Sequence, residues 1–226
     1  MSPILKSALS WIVTLLVPLT ILMLGARLLL TPVFLEVEYR MPGFPADTYG
    51  FTLEDRIRWG TPSLVYLTND QGIGFLAELM FDESTPQEYG TPIYNVRELS
   101  HMKDVKDVLQ TLLKVWYAAL GILVVFGIWA RRANWLDAYN AGWRRGGFLM
   151  IGLLVTCGIF AVSSFWDFFT WFHSLFFSGT SWQFYFSDTL IRLFPMRFWA
   201  DCFIYIGAFS LIVALILIFG LKPKAK

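Results

Sequence analysis

Histidine and cysteine are almost missing from this chain, two of each in 226 residues, and each scarcity removes a class of chemistry. Cys157 and Cys202 lie inside or beside apolar runs; two thiols so placed build neither a disulfide framework nor a thiolate zinc site, and read as small apolar helix residues. No basic stripe lies outside short tracts that flank the apolar runs, so nucleic acid is not an expected partner. A P-loop, a dinucleotide fingerprint, a G-x-S-x-G elbow and an H-E-x-x-H pair are all absent, which removes the motif-borne nucleotide, serine-hydrolase and zincin readings. Ser100, Ser174 and Ser178 stand in no recognisable triad and read as hydroxyls bonded locally in helices or turns. Charge of one sign is not in excess either, since the formal net charge is +1, but the near balance hides a segregation of signs along the chain.

What the chain has in quantity is apolar and aromatic side chains, 56% and 18% of residues, gathered into continuous runs of membrane length. Four runs are read as transmembrane helices: 1–31, 111–130, 147–165 and 198–221. The first is too long for a signal-peptide h-region, and Arg27 to Pro32 offer no A-x-A site, so it reads as a retained anchor that Pro18 kinks without ending. With four spans, Lys6, the pairs Arg131-Arg132 and Arg144-Arg145, and Lys222, Lys224 and Lys226 all fall on one side. The positive-inside rule makes that side, with both termini, a loop at 131–146 and a tail at 222–226, cytoplasmic. The expected location is a cytoplasmic membrane, with the acid-rich segment 32–110 on the outer face. Gly121, Gly127, Gly152 and Gly158 read as places where helices pack closely.

The segment 32–110 is read as a small mixed domain. Leu35 to Tyr39 alternates and predicts a short strand, Thr52 with Asp55 begins a capped helix, Phe75 to Phe81 is an apolar patch, and Pro86 to Pro92 is a loop. From Asn95, a cap answered by Glu98, an amphipathic helix runs into the second span, with residues 98, 101, 105, 108 and 112 on one face. The other outer loop, 166–197, is dense in aromatics suited to the headgroup region and carries His173, Asp188, Arg192 and Arg197.

His101 precedes the second span and His173 follows the third, so both histidines fall on the outer side near the membrane surface. Three roles remain open from the residues alone: acid-base catalysis, a structural hydrogen bond, or a metal site completed by Asp104, Asp188 or Glu98. Arg192 and Arg197 serve as anion ligands or as anchors, and Asp188 either orients a histidine or pairs with Arg192. Asp201, near the outer end of the fourth run, calls for an arginine partner, for which Arg27 is placed.

Two stretches carry a family likeness: Arg97-Glu98-Leu99-Ser100-His101-Met102-Lys103-Asp104-Val105-Lys106, and Phe172-His173-Ser174-Leu175-Phe176-Phe177 followed by Trp182, Phe184, Asp188, Leu190 and Leu193-Phe194-Pro195. In motif order, loop length and span number the chain resembles the four-span lipoprotein intramolecular transacylase (Lit) family over nearly its whole length. The resemblance implies an intramolecular acyltransferase acting on diacylglyceryl-modified bacterial lipoproteins in the membrane, with no cofactor. It moves the sn-2 acyl chain to the α-amine of the N-terminal cysteine and leaves a lyso-form lipoprotein. The family's two key histidines match His101 and His173; Arg97, Glu98, Asp104, Asp188, Arg192 and Asp201 are the expected supporting or substrate-binding residues. A non-catalytic scaffold for an envelope protein, favoured if residues 73–81 expose apolar side chains, and a metal-dependent lipid hydrolase are the alternatives.

Overall fold

A computed structural model describes residues 1–85 and 88–221, so Pro86 of the expected 86–92 loop and the lysines of the 222–226 tail lie outside the described residues. Four helices, α1 (Pro3–Leu29), α5 (Val96–Arg132), α6 (Leu136–Ser163) and α9 (Met196–Gly220), are long and apolar enough to cross a bilayer. Their outward apolar side chains, Val124, Val162 and Ile216 among them, are exposed and have lipid as their natural solvent. Only the later part of α5 has membrane composition. Between Asp107 and Arg131 its sole charge is Lys114, whereas its first turns carry Arg97, Glu98, Lys103, Asp104, Lys106 and Asp107, and so stand outside the hydrocarbon.

The chain divides into two compact units: Met1–Ala26 with Leu112–Phe168 and Ile204–Lys226, and Arg27–Thr111 with Phe169–Phe203. In the first, α1 and α6 meet over glycines. A Cβ added at Gly142 would lie 2.6 Å from the Ser10 carbonyl oxygen, and one at Gly146 2.5 Å from Val17 Cβ, so only hydrogen fits there. The glycines expected to serve this purpose mostly do not: Gly121, Gly152 and Gly158 face open space, and only Gly127 is in close contact, with the Tyr139 hydroxyl. Composition identifies small residues, but helix phase decides which of them faces a neighbour.

The second unit is helical, and the expected mixed domain is corrected accordingly. Leu35 to Tyr39 belongs to α2 (Pro32–Tyr39), not to a strand: Thr31 caps it, its hydroxyl accepting from Phe34 N at 3.2 Å, and Pro32 supplies the preset φ of a first helical residue. The alternation of Leu35, Val37 and Tyr39 was the weaker signal beside that start. α3 (Leu53–Thr68) opens on a full capping box between Thr52 and Asp55, and α4 (Gly74–Ala77) is a single turn. Among the described residues the only extended pairing is an isolated antiparallel bridge between Met80 and Pro92. The aromatic loop also folds locally into α7 (Phe165–Ser174) and α8 (Thr189–Leu193), and α6 begins inside the segment read as the 131–146 loop. The core of this unit is aromatic and aliphatic, with Leu35, Tyr66, Leu76, Ile93 and Leu193 almost wholly buried.

Candidate active site

Asn95 begins α5 by accepting from the Arg97 and Glu98 amides at 3.0 Å each, while the Glu98 carboxylate accepts back from Asn95 N at 2.8 Å. This reciprocal cap orients the first turn, and the next brings His101 onto the face that Glu98 occupies. Glu98 is buried, and its second oxygen accepts from Leu190 N at 2.7 Å. One carboxylate thus ties the start of α5 to the first turn of α8. Burial pushes the Glu98 carboxyl up to about 7 against the two amides, which favour its charged form.

A second tie lies beside the first. Asp188, just before α8, accepts from Asn95 Nδ2 at 3.1 Å, from Arg97 at 3.0 Å and from its own loop at Tyr185 N, 2.8 Å. Arg97 lies over the rings of Phe184 and Tyr185, 5.4 and 5.1 Å from their centroids. The loop before α8 is thereby held against α5, and Phe184 meets the His101 ring edge to face at 5.4 Å. Asp188 therefore pairs with Arg97 and not with Arg192.

His173 comes from the last turn of α7. Its Nδ1 lies 2.9 Å from the Phe169 carbonyl oxygen four residues earlier, and a carbonyl can only accept, so Nδ1 carries the proton and neutral His173 has its lone pair on Nε2. The two imidazoles face each other at 6.4 Å between centroids, 25° from parallel. Phe177 touches both rings, at 5.0 and 5.8 Å, and Phe169 and Trp182 pack on His173 at 4.1 and 4.7 Å. Each histidine is only 8% exposed. Burial, and after it the neighbouring His173, lowers the His101 imidazole to about 4; burial also lowers His173, against its bond to Phe169. Both rings are neutral at pH 7, and His101 Nδ1 is buried without a hydrogen-bond partner.

The remaining expected residues go elsewhere. Arg192 is buried and spends its guanidinium on Asp47 at 3.1 Å, Glu88 at 2.6 Å and the Tyr49 carbonyl at 3.4 Å, with Phe51 stacked 3.3 Å beneath it. Its role here is to bind the 47–51 turn and Glu88 to α8. Arg56, which carried no signal in the sequence, supports it by donating to the Arg192 carbonyl at 3.1 Å and to Pro45 O at 2.5 Å. Asp201 pairs with Arg197 one turn earlier, while Arg27 donates to Leu30 O at 3.4 Å. Asp104 is half-buried on α5, with no hydrogen bond to either imidazole. Among the described residues no group of three His, Cys, Asp or Glu side chains is arranged to hold a metal.

The profile of the family described as lipoprotein intramolecular transacylase Lit matches residues 11–199, which include both histidines and both ties. The chain belongs to the Lit family. An uncharacterized protein of Aquifex aeolicus (strain VF5) is 28% identical to this Lit-family chain over 95% of it and 93% of the relative. The in meso structure of the lipoprotein intramolecular transacylase Lit from Bacillus cereus superposes with a TM-score of 0.77 at 19% identity, covering 96% of this chain and 94% of that one. A histidine-to-alanine variant of the same Bacillus cereus protein gives 0.65 at 17% identity, covering 96% and 92%. At these identities the likeness is one of fold, a multi-pass helical membrane protein.

Proposed function

We propose that this chain transfers the sn-2 acyl group of a diacylglyceryl-modified lipoprotein to the α-amine of the same lipoprotein's N-terminal cysteine, on the extracytoplasmic face of a bacterial cytoplasmic membrane. The observation that carries the reading is the pair of neutral, facing imidazoles, His101 and His173, in an aromatic enclosure of a Lit-family chain. Their separation rules out a hydrogen bond between them and is near twice the ~3.5 Å contact distance, the width of one inserted planar group such as an ester.

His173, on the short helix α7, is assigned as the base. Its bond to Phe169 leaves the lone pair on Nε2, which lets the neutral ring accept a proton from the attacking amine. The amine nitrogen bonds to the ester carbon, and the carbonyl electrons move onto oxygen. As the tetrahedral adduct collapses, the C–O bond to the glyceryl sn-2 oxygen breaks and that oxygen takes the proton held on His173, while neutral His101 donates a hydrogen bond to it from its ring N–H. His173 is thereby returned to its neutral form, so no proton is gained or lost. Holding amine and ester in one bound molecule supplies proximity. The developing oxyanion needs a donor: Arg192 is committed to two carboxylates, whereas Arg97 is 44% exposed and spends one amine on Asp188. Arg97 is the better placed of the two.

The scaffold reading has less support. In the segment 73–81, Leu76 and Phe81 are in the core, Ile73, Phe75 and Leu79 pack against it, and Met80 is the large apolar side chain left exposed. Mass spectrometry of the N-terminal lipopeptide of an abundant lipoprotein, from a diacylglyceryl-lipoprotein host with and without this gene, tests the reaction. The expected product is an N-acyl, S-monoacylglyceryl peptide found only with the gene. An unchanged diacylglyceryl peptide beside well-inserted protein would overturn the proposal.

A further inference from the structure

The first unit gathers cations at one end. The start of α1, the end of α5, the start of α6 and the end of α9 meet there: Leu9 packs with Ala130 and Trp135, and Arg144 donates to Ile218 O at 3.1 Å. Lys6, Arg131, Arg132, Arg144 and Arg145 lie at this end, with Asp137 as the acid nearby in the chain, and none of the five forms an ion pair among the described residues. Positive-inside anchoring explains their sign. It does not explain how Arg145 is held.

Arg145 donates from Nη2 to Ser10 Oγ at 2.6 Å and from Nε to Thr14 Oγ1 at 3.3 Å, and its guanidinium lies 4.5 Å over the exposed Trp11 ring. Both hydroxyls are buried and already spend their protons on carbonyls: Ser10 on Ala138 O, and Thr14 on Ser10 O and Gly142 O. Their lone pairs are thereby aimed at the guanidinium. The side chain is fixed by neutral groups, so its charge is uncompensated, and the Nη1 amine with one Nη2 proton remains unspent. Lys6, one helical turn before Ser10, donates to the Asn134 carbonyl at 3.0 Å and is likewise unneutralised. At about 1.5 Å per residue, Ser10 lies roughly 10 Å into α1 and Arg145 roughly 13 Å into α6. The apolar run of α6 starts at Gly147, so the guanidinium sits where polar headgroups meet acyl chains, with Trp11 as the interfacial aromatic.

We propose that Arg145, with Lys6 and Trp11, forms a binding site for the phosphate of an anionic phospholipid at this end of the bundle, separate from the two-histidine site. The planar fork takes two phosphate oxygens, the ammonium adds charge, and the indole lies along the upper acyl chain. The proposal does not depend on the transacylase reading.

The full chain, purified in detergent, is offered phosphatidylglycerol and phosphatidylcholine with matched acyl chains, and bound lipid is counted by native mass spectrometry. Phosphatidylglycerol should be retained at least about fivefold over phosphatidylcholine, and Arg145→Gln should remove about a fivefold share of that preference. Arg145→Lys, which keeps charge but not the fork, should fall between the two and serves if the glutamine variant is not recovered folded. Inorganic phosphate in millimolar excess should not displace the lipid. Equal retention of the two lipids by the unaltered chain, an undiminished preference in both variants, or displacement by free phosphate would each overturn the proposal.

Discussion

At the residue scale the proposed reaction rests on two imidazoles whose pKa burial lowers, one of them with a defined tautomer. His101→Ala and His173→Ala are each expected to lower lyso-lipoprotein formation by about 100-fold or more, the usual scale of a lost oxyanion donor or general base, with the protein still inserted. The lipopeptide mass spectrum read against a membrane blot checks this. Because the chain has only two histidines, 15N-histidine labelling gives two ring systems in an NMR titration. Both midpoints should lie below the ordinary 6.5, with His101 near 4. The linkage follows in sign. A folded pKa below the unfolded one adds stability above pH 6.5 that is lost as pH falls toward about 4, since the unfolded chain takes up the proton first. Acid should therefore destabilise the unaltered chain more than a His101→Phe variant, measured as the change in melting temperature between pH 7 and pH 5.

At the scale of elements, Glu98 matters because it joins two of them. Glu98→Ala strands the amide of buried Leu190, which should cost about 1–3 kcal/mol, and removes the cap on the Asn95 amide, seen together as a lower thermal midpoint in detergent. Glu98→Gln keeps one oxygen acceptor and should lose less. Since the same tie sets the histidine-bearing turn against α8, the alanine variant should also lose acyl transfer beyond what its stability explains. This tie was half legible in the sequence. Asn95 and Glu98 three residues on are a local cap signal, but the Leu190 partner is 92 residues away and follows only from the packing of α8. The misread strand at Leu35 teaches the complementary point, that a local start signal, Thr31 then Pro32, outweighs alternation over a few residues.

At the scale of the whole molecule, stability in lipid rests on close helix approach. Gly146→Val has no space opposite Val17 and the Thr14 carbonyl, and should reduce recovery of folded protein and lower its melting temperature, an overpacking cost of about 1–3 kcal/mol. Gly152→Val, facing open space, should be neutral by the same measurement. Orientation is testable too. In a chain whose two cysteines are replaced, a cysteine at Ser181 should react with a membrane-impermeant maleimide in intact cells, and one at Asn134 only after lysis. The reverse pattern would invert the proposed topology.

The membrane class, the four apolar runs and the caps at Thr52 and Asn95 are local or compositional properties, and the sequence by itself determined them. Apolar runs of bilayer length have no other economical solvent, and a cap is satisfied within one turn. Only the tertiary structure decided that Asp188 answers Arg97, that Arg192 is consumed by Asp47 and Glu88, that Gly142 and Gly146 form the α1–α6 contact, and that the two histidines face each other. Each of these joins residues far apart in the chain, and their meeting is fixed by helix phase and side-chain packing, which no run of neighbouring residues encodes.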